Sequence, residues 1–216
     1  MSEVDIRVAV PDDFEDILYG FRTYFWPHEP LSAGHKIKTV SLSEEEFAMS
    51  TPQKGMSLIA TDPDRGDKVV GFLTIDISTP GLLAEYDELS KDKPKEERAE
   101  AMGGIFNKLN EKADVFEMYK VDKVLWLVYL GVDQAMRGKN IGTRLVERGI
   151  SMAESLGCKV IEIDCTSAFS ARIAQRTGMK CIGEIAYKDY VDANGEQIFN
   201  PPAIHTHMQR FVKIHE

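Results

Sequence analysis

The stretch that most limits how this chain can fold runs from Val124 to Leu156, VLWLVYLGVDQAMRGKNIGTRLVERGISMAESL. Val124 to Val132 is almost wholly apolar and rich in β-branched and aromatic residues, the pattern of a strand covered on both faces. Arg137 to Thr143, RGKNIGT, is a glycine-bearing loop. Beyond it Ile141, Leu145, Met152 and Leu156 recur at helical spacing, and Gly157 follows where a helix ends. A strand, a glycine loop and a helix in succession bring several backbone N–H groups to one place. The helix start also carries the positive end of its dipole, so the arrangement suits a phosphate. The loop lacks the Gly-Lys-Ser/Thr ending of a mononucleotide loop and the Gly-x-Gly-x-x-Gly of a dinucleotide site.

The rest of the composition sets bounds. A chain of 216 residues, 43% hydrophobic, is long enough to bury a full core as one large domain or two small ones. Its longest apolar run is far too short to span a bilayer, and the start, MSEVDIRVAV, lacks the basic and apolar regions of a signal peptide. The expectation is a cytoplasmic protein with no membrane partner. A net charge of −9 argues against nucleic acid, whose phosphates the surface would repel, and suits a cationic small molecule. Cys158, Cys165 and Cys181 are odd in number and lack metal spacing, so they read as reduced and mostly buried thiols. No His or carboxylate pair has ligand spacing, so no metal is expected.

Strands alternate with helices along the chain. Asp5–Val10 reads as a first strand, and Pro11 opens a helix with Phe14, Ile17, Leu18, Phe21 and Phe25 inward. The segment WPHEPLSAG breaks that helix and exposes Glu29. A loop glutamate is ordinarily a solvated charge. This one stands between aromatic and proline residues that would take it partly out of water, the condition under which a carboxylate serves as a base near neutrality. Ser43 to Glu46 fits a capping box before a short helix, and two strands follow, Ser57–Asp62 and Lys68–Ser78. Residues 79–123 are densely charged and read as one or two helices packed on the sheet, with a mobile link near Pro94. After the central unit come a strand at Lys159–Asp164, a helix closed by Gly178, a strand at Met179–Tyr187, a turn at Asp192–Gly195 and a last strand at His207–Ile214. The order implies an α/β fold: one mixed sheet, mostly antiparallel and partly parallel, with helices on both faces. A ligand would lie outside the carboxyl ends of the parallel strands.

The loop resembles the acyl-CoA pyrophosphate loop of the GCN5-related N-acetyltransferases, Arg/Gln-x-x-Gly-x-Gly/Ala after a buried strand. Arg137, Ile141 and Gly142 fit, while Asn140 replaces the central glycine; Asn tolerates the left-handed backbone that position would need. Three further motifs narrow the likeness. Glu-Pro-Leu follows an aromatic-rich first helix, Cys-Thr-Ser-x-x-Ser-Ala-Arg follows the fifth strand, and Pro-Pro…His-Thr stands near the end. In combination they are similar to the insect arylalkylamine N-acetyltransferases, a group that includes dopamine and agmatine N-acetyltransferases. The resemblance covers nearly the whole chain and implies a single acetyltransferase domain over residues 1–216 with a helical insert at about 80–123.

What the resemblance implies for chemistry is specific. Acetyl-CoA is the co-substrate and a small amine its partner, with no metal; we expect a monomer. Glu29 is the general base acting on the amine through water. The family's paired serines fall on Thr166 and Ser170, and Ser170 either protonates the departing CoA thiolate or holds the pantetheine arm; capping of the next helix is the bland alternative for both. Leu130 and Val132 present backbone groups to the pantetheine and the thioester, the Val132 N–H serving the oxyanion. Arg137, Gly138, Lys139, Asn140, Ile141, Gly142 and Thr143 hold the pyrophosphate. Tyr24, Phe25 and Trp26 line an arylalkylamine pocket or are ordinary core, and His205 shapes that pocket, relays a proton or is a structural strand histidine. Two other readings stay open here: the same fold acting on a polyamine, agmatine or peptide, and a non-catalytic acyl-CoA-binding module.

Overall fold

The computed structural model describes residues 3–82 and 96–215. Seven strands form one sheet: β1 (Asp5–Val8), β2 (Leu58–Asp62), β3 (Lys68–Ser78), β4 (Val124–Val132), β5 (Val160–Cys165), β6 (Lys180–Ala186) and β7 (His207–Ile214). Their order across the sheet is β1-β2-β3-β4-β5-β7-β6. β4 and β5 run parallel, and the other neighbours are antiparallel. The helices are α1 (Phe14–Gly20), α2 (Pro30–Gly34), α3 (Leu42–Ser50), α4 (Glu97–Lys112), α5 (Val115–Tyr119), α6 (Ile141–Ser151) and α7 (Ala168–Arg176). The mixed α/β sheet expected from the sequence is therefore present. The expected link near Pro94 lies outside the described residues.

Strand alternation divides the core between the two faces of the sheet. On one face Leu73, Ile75, Leu125, Leu127, Ile161, Ile163 and Phe211 pack against Ile141, Leu145 and Val146 of α6 and Ala171 and Ala174 of α7. On the other, Phe72 meets Ile17 and Phe21 beside α1, while Met208 joins Leu31 of α2 and Ile105 and Leu109 of α4. Two buried layers explain why the central strands read as continuous apolar runs.

One local expectation is corrected. The capping box before α3 is Ser41 with Glu44, not Ser43 with Glu46: Ser41 Oγ accepts from the Glu44 N–H, and Glu44 returns a carboxylate oxygen to the Ser41 N–H at 2.9 Å. The helix starts two residues earlier than the spacing implied. β4 also contains a bulge. Thr74 pairs with Tyr129 but Ile75 pairs with Leu127, so Val128 is the extra residue. The Tyr129 N–H donates to the Thr74 side chain at 3.1 Å. The bulge re-phases the strand, so Leu125 and Leu127 and then Leu130 and Val132 face α6, and Tyr129 turns to the opposite face.

Candidate active site

The site lies at the carboxyl ends of β4 and β5. Their parallel pairing ends at Leu127 opposite Ile163, yet β4 stays paired with β3 as far as Val132 opposite Gly71. From Val128 to Val132 one edge of β4 therefore has no strand partner among the described residues. Backbone direction identifies what that edge offers. The Asp133 N–H donates to Val70 O at 2.8 Å and the Tyr129 N–H to Thr74, both toward β3. Successive N–H groups in a strand point to opposite sides, so those of Leu130 and Val132 point to the free edge. These are the residues the sequence singled out for backbone contacts.

The loop that follows is built for an anion. Asp133 caps a short 3-10 turn by accepting from the Ala135 N–H at 2.9 Å. Gly138 then takes φ 83° and Asn140 φ 58°, and α6 begins. Asn140 thus adopts the left-handed conformation that its substitution for glycine required. It offers no side-chain cap to α6. Among the described residues no acceptor meets the N–H groups of Gly138, Asn140, Ile141, Gly142 or Thr143. Five unmet donors at a helix start, with exposed Arg137 and Lys139 beside them, suit a pyrophosphate. Ile141 and Thr143 have buried side chains, so their part is confined to the backbone. Gly142 has a packing reason to lack a side chain: a Cβ there would lie 3.0 Å from Ile173 of α7.

Glu29 lies on the other face. It is the N-cap of α2, its two carboxylate oxygens accepting from the Leu31 N–H at 2.9 Å and the Ser32 N–H at 2.7 Å. The sequence placed it in an aromatic setting. In the structure the carboxylate faces backbone donors instead, because Phe25 and Trp26 turn toward Phe21. A carboxylate has about four acceptor positions, so two remain for a ligand.

Two side chains from distant segments, His205 and Tyr187, lie near Glu29. His205 is buried, and its Nδ1 accepts from the Ala168 N–H at 3.2 Å at the start of α7. With Nδ1 an acceptor, the neutral ring carries its proton on Nε2. Burial lowers the His205 pKa, and the negative charge of Glu29 acts in the opposite direction. The residue lies in the loop before β7 rather than in a strand, which corrects the sequence reading. Tyr187, fully buried, donates its phenol to Thr166 O at 2.6 Å, and its pKa is raised first by burial and then by Glu29. Tyr187 carried no signal in the sequence beyond its place at a strand end.

The serine motif resolves differently from the expectation. Ser167, not Thr166, caps α7: its Oγ accepts from the Ser170 N–H at 3.0 Å and lies 2.9 Å from Ser170 Oγ. Ser170 Oγ donates to Ser167 O at 3.0 Å. The Ser170 hydroxyl thus takes part in the cap and also meets the Cys165 thiol, and the S-x-x-S spacing was the overlooked sign of the cap. Behind it the Cys165 thiol is buried and its pKa raised, chiefly by desolvation.

The aromatic wall comes from a π-helical turn at Phe21–Phe25, closed by the Trp26 N–H donating to Phe21 O at 2.9 Å. The wider turn brings residue i+5 over residue i. Trp26 consequently stacks on Phe21 at 4.9 Å, and Phe25 meets Tyr129 edge-on at 5.5 Å. Tyr24, Phe25 and Trp26 are each half-buried, contributing to the core while leaving part of a ring open. Tyr24 differs from the other two. Its hydroxyl is buried without a partner among the described residues, and the ring lines a cleft of about 280 Å³ with His28, Lys68, Asp133 and Gln134. Among the described residues, no group of three or more His, Cys, Asp or Glu gathers to hold a metal.

The model of the Acetyltransferase (GNAT) family matches residues 12–178. A mosquito arylalkylamine N-acetyltransferase like 5b superposes with a TM-score of 0.89 at 28% identity, covering 99% of this chain and 100% of that one. A Drosophila melanogaster polyamine N-acetyltransferase, described as forming N-acetylagmatine, gives 0.87 at 26% identity with 99% and 100% covered. An agmatine N-acetyltransferase S171A mutant gives 0.88 at 25% identity with the same coverage.

Proposed function

The chain belongs to the acetyltransferase (GNAT) family, and we propose that within it the chain moves the acetyl group of acetyl-CoA to the primary amine of a small arylalkylamine. The observation that carries this reading is the meeting of two half-sites at the ends of β4 and β5. One is an anion loop leading to a free strand edge. The other is a carboxylate with spare acceptor positions near His205 and Tyr187, on the same face of the sheet as the half-open aromatic rings.

Each group then has a task. The N–H groups of Gly138 to Thr143 hold the pyrophosphate, with Arg137 and Lys139 adding charge. Leu130 and Val132 hold the pantetheine arm along the free edge. The amine arrives protonated and cannot attack until it loses a proton; Glu29 takes that proton directly or through one water. The nitrogen lone pair then attacks the thioester carbonyl carbon. The carbonyl oxygen becomes an oxyanion facing the Val132 N–H. When the C–S bond breaks, CoA leaves as a thiolate and takes up a proton from solvent. Glu29 gives its first proton to solvent and, again a carboxylate, takes the second proton from the acylated nitrogen, and the amide is released. His205, neutral at pH 7, closes the site behind Glu29 without a competing positive charge. Phe25, Trp26 and Tyr129 favour an aromatic body over a polyamine chain.

The test is CoA release from acetyl-CoA with dopamine, tryptamine, agmatine and spermidine. We expect amine-dependent release, fastest with the aromatic amines. Fastest turnover of agmatine or spermidine would move the substrate class to cationic chains. Tight acetyl-CoA binding with no release for any amine would instead indicate a binding module.

A further inference from the structure

α2 has five residues, too few to hold a helical conformation unaided. Its seat therefore depends on what anchors it from outside. At its end, Gly34 O accepts from the Asn200 N–H at 2.9 Å, and a Cβ on Gly34 would lie 2.8 Å from Pro201 N. At its middle the anchor is Arg98 of α4, which is 2% exposed. Arg98 donates Nη2 to Ser32 Oγ at 3.0 Å, Nε to Glu44 Oε1 at 2.8 Å and Nη1 to Ile37 O at 3.2 Å. One guanidinium thus joins α2, the strap that follows it, the cap of α3 and α4.

Ser32 is engaged twice. Its N–H donates to Glu29 Oε2, and its hydroxyl accepts from Arg98. Glu29, Ser32 and Arg98 form a continuous chain from the carboxylate to a buried cation. A buried guanidinium is costly to desolvate unless its donors are met, and a planar fork can meet three acceptors in fixed directions where an ammonium cannot.

We infer that Arg98 is a positioning residue for the amine half of the reaction, orienting the Glu29 carboxylate through Ser32. The inference rests on the reading of Glu29 as the base. It separates the two half-sites: the anion loop lies on the opposite face of the sheet and shares no contact with Arg98 among the described residues.

The experiment uses Ser32→Ala and Arg98→Lys in the full chain, with melting temperature, KM for each substrate and the pH profile of kcat/KM for the amine. Ser32→Ala leaves the backbone N–H, Glu44 and Ile37 contacts in place, so it probes the link even if Arg98 variants fold poorly. We expect kcat/KM for the amine to fall about 10-fold in Ser32→Ala and about 30-fold or more in Arg98→Lys, the scale of a small misplacement of a reacting group. The acid limb of the profile should move, and KM for acetyl-CoA should stay within about 2-fold. Unchanged amine kinetics and pH profile in both variants, with Glu29→Gln inactive, would overturn the inference alone. So would equal losses for amine and acetyl-CoA. A wild type that binds acetyl-CoA but turns over no amine would overturn the reading of function and the inference with it.

Discussion

The two halves of the site are built from different materials. The half proposed to hold acyl-CoA is main chain: a strand edge, two left-handed residues and the first N–H groups of α6, all within residues 128–143. The half proposed to receive the amine is side chain: Glu29, His205, Tyr187 and the aromatic turn, drawn from segments more than a hundred residues apart. Backbone groups tolerate many side chains provided that φ and ψ are right, so the first half should respond to substitutions that change conformation. The second half should respond to the loss of particular functional groups. The contrast also shows where specificity sits. A pyrophosphate is the same in every acyl-CoA, whereas the amine is what side chains from distant segments must select.

The largest expected effect lies in the side-chain half. Glu29→Gln should lower amine turnover by about 10²–10³ at neutral pH, recovering in part at high pH where the free amine forms unaided, with little change in acetyl-CoA affinity. Steady-state kinetics across pH would show it, and a comparable loss of acetyl-CoA affinity would erase the division between the halves. Gly138→Val is the counterpart. Forcing a β-branched residue to φ 83° costs about 1–2 kcal/mol, so KM for acetyl-CoA should rise roughly 10-fold with a smaller effect on the amine.

Ser167→Ala sharpens the boundary between structure and chemistry. Loss of the cap of α7 should cost about 1 kcal/mol in denaturant unfolding. A drop in turnover beyond that fold loss would return the serine motif to the chemistry. A pH test concerns the buried cluster on the amine side of β5 and β7. Arg210 Nε lies 2.8 Å from both Glu162 and Asp164, and its Nη1 donates to Asn110 and to Ala113 O. Burial, then Asp164, pushes the Glu162 carboxyl up to about 8 against the pull of Arg210. A folded pKa above the unfolded 4.5 means that the folded state holds this proton longer, so stability should fall as pH rises from about 4.5 to about 8. Melting temperature should drop less over that window in Glu162→Gln, and equal slopes would show that Glu162 is ionised throughout. Smallest of all, Asn140→Gly should change stability and KM for acetyl-CoA by only a few tenths of a kcal/mol, because both residues accept φ 58°; Asn140→Ala should cost about 1 kcal/mol.

How far the site could be read beforehand follows the same division. The order of elements along the chain and the glycine loop depend on patterns a few residues long, period two, period 3.6 and glycine placement, and Asn140 is found in the conformation its chemistry suggested. The errors are equally instructive. The spacing pointed to Ser43 with Glu46, yet the reciprocal bonds join Ser41 and Glu44. Thr166 matched a motif by position, yet Ser167 holds the cap because its Oγ meets both the N–H and the Oγ of Ser170. The bulge at Val128 left no mark in a run of uniformly apolar residues, although it turns Tyr129 toward the aromatic wall.

By itself the sequence determined the elements, the parallel unit around Val124–Leu156 and the main-chain site within it, since each depends on local backbone preference and on which faces must leave water. Only the tertiary structure decided that Glu29 faces two backbone donors, that His205 takes its tautomer from the Ala168 N–H, and that a buried Arg98 reaches Ser32. Those contacts join residues between 37 and 66 positions apart, or depend on the seat of a five-residue helix. No local preference encodes them. They follow from the packing of two layers on opposite faces of one sheet.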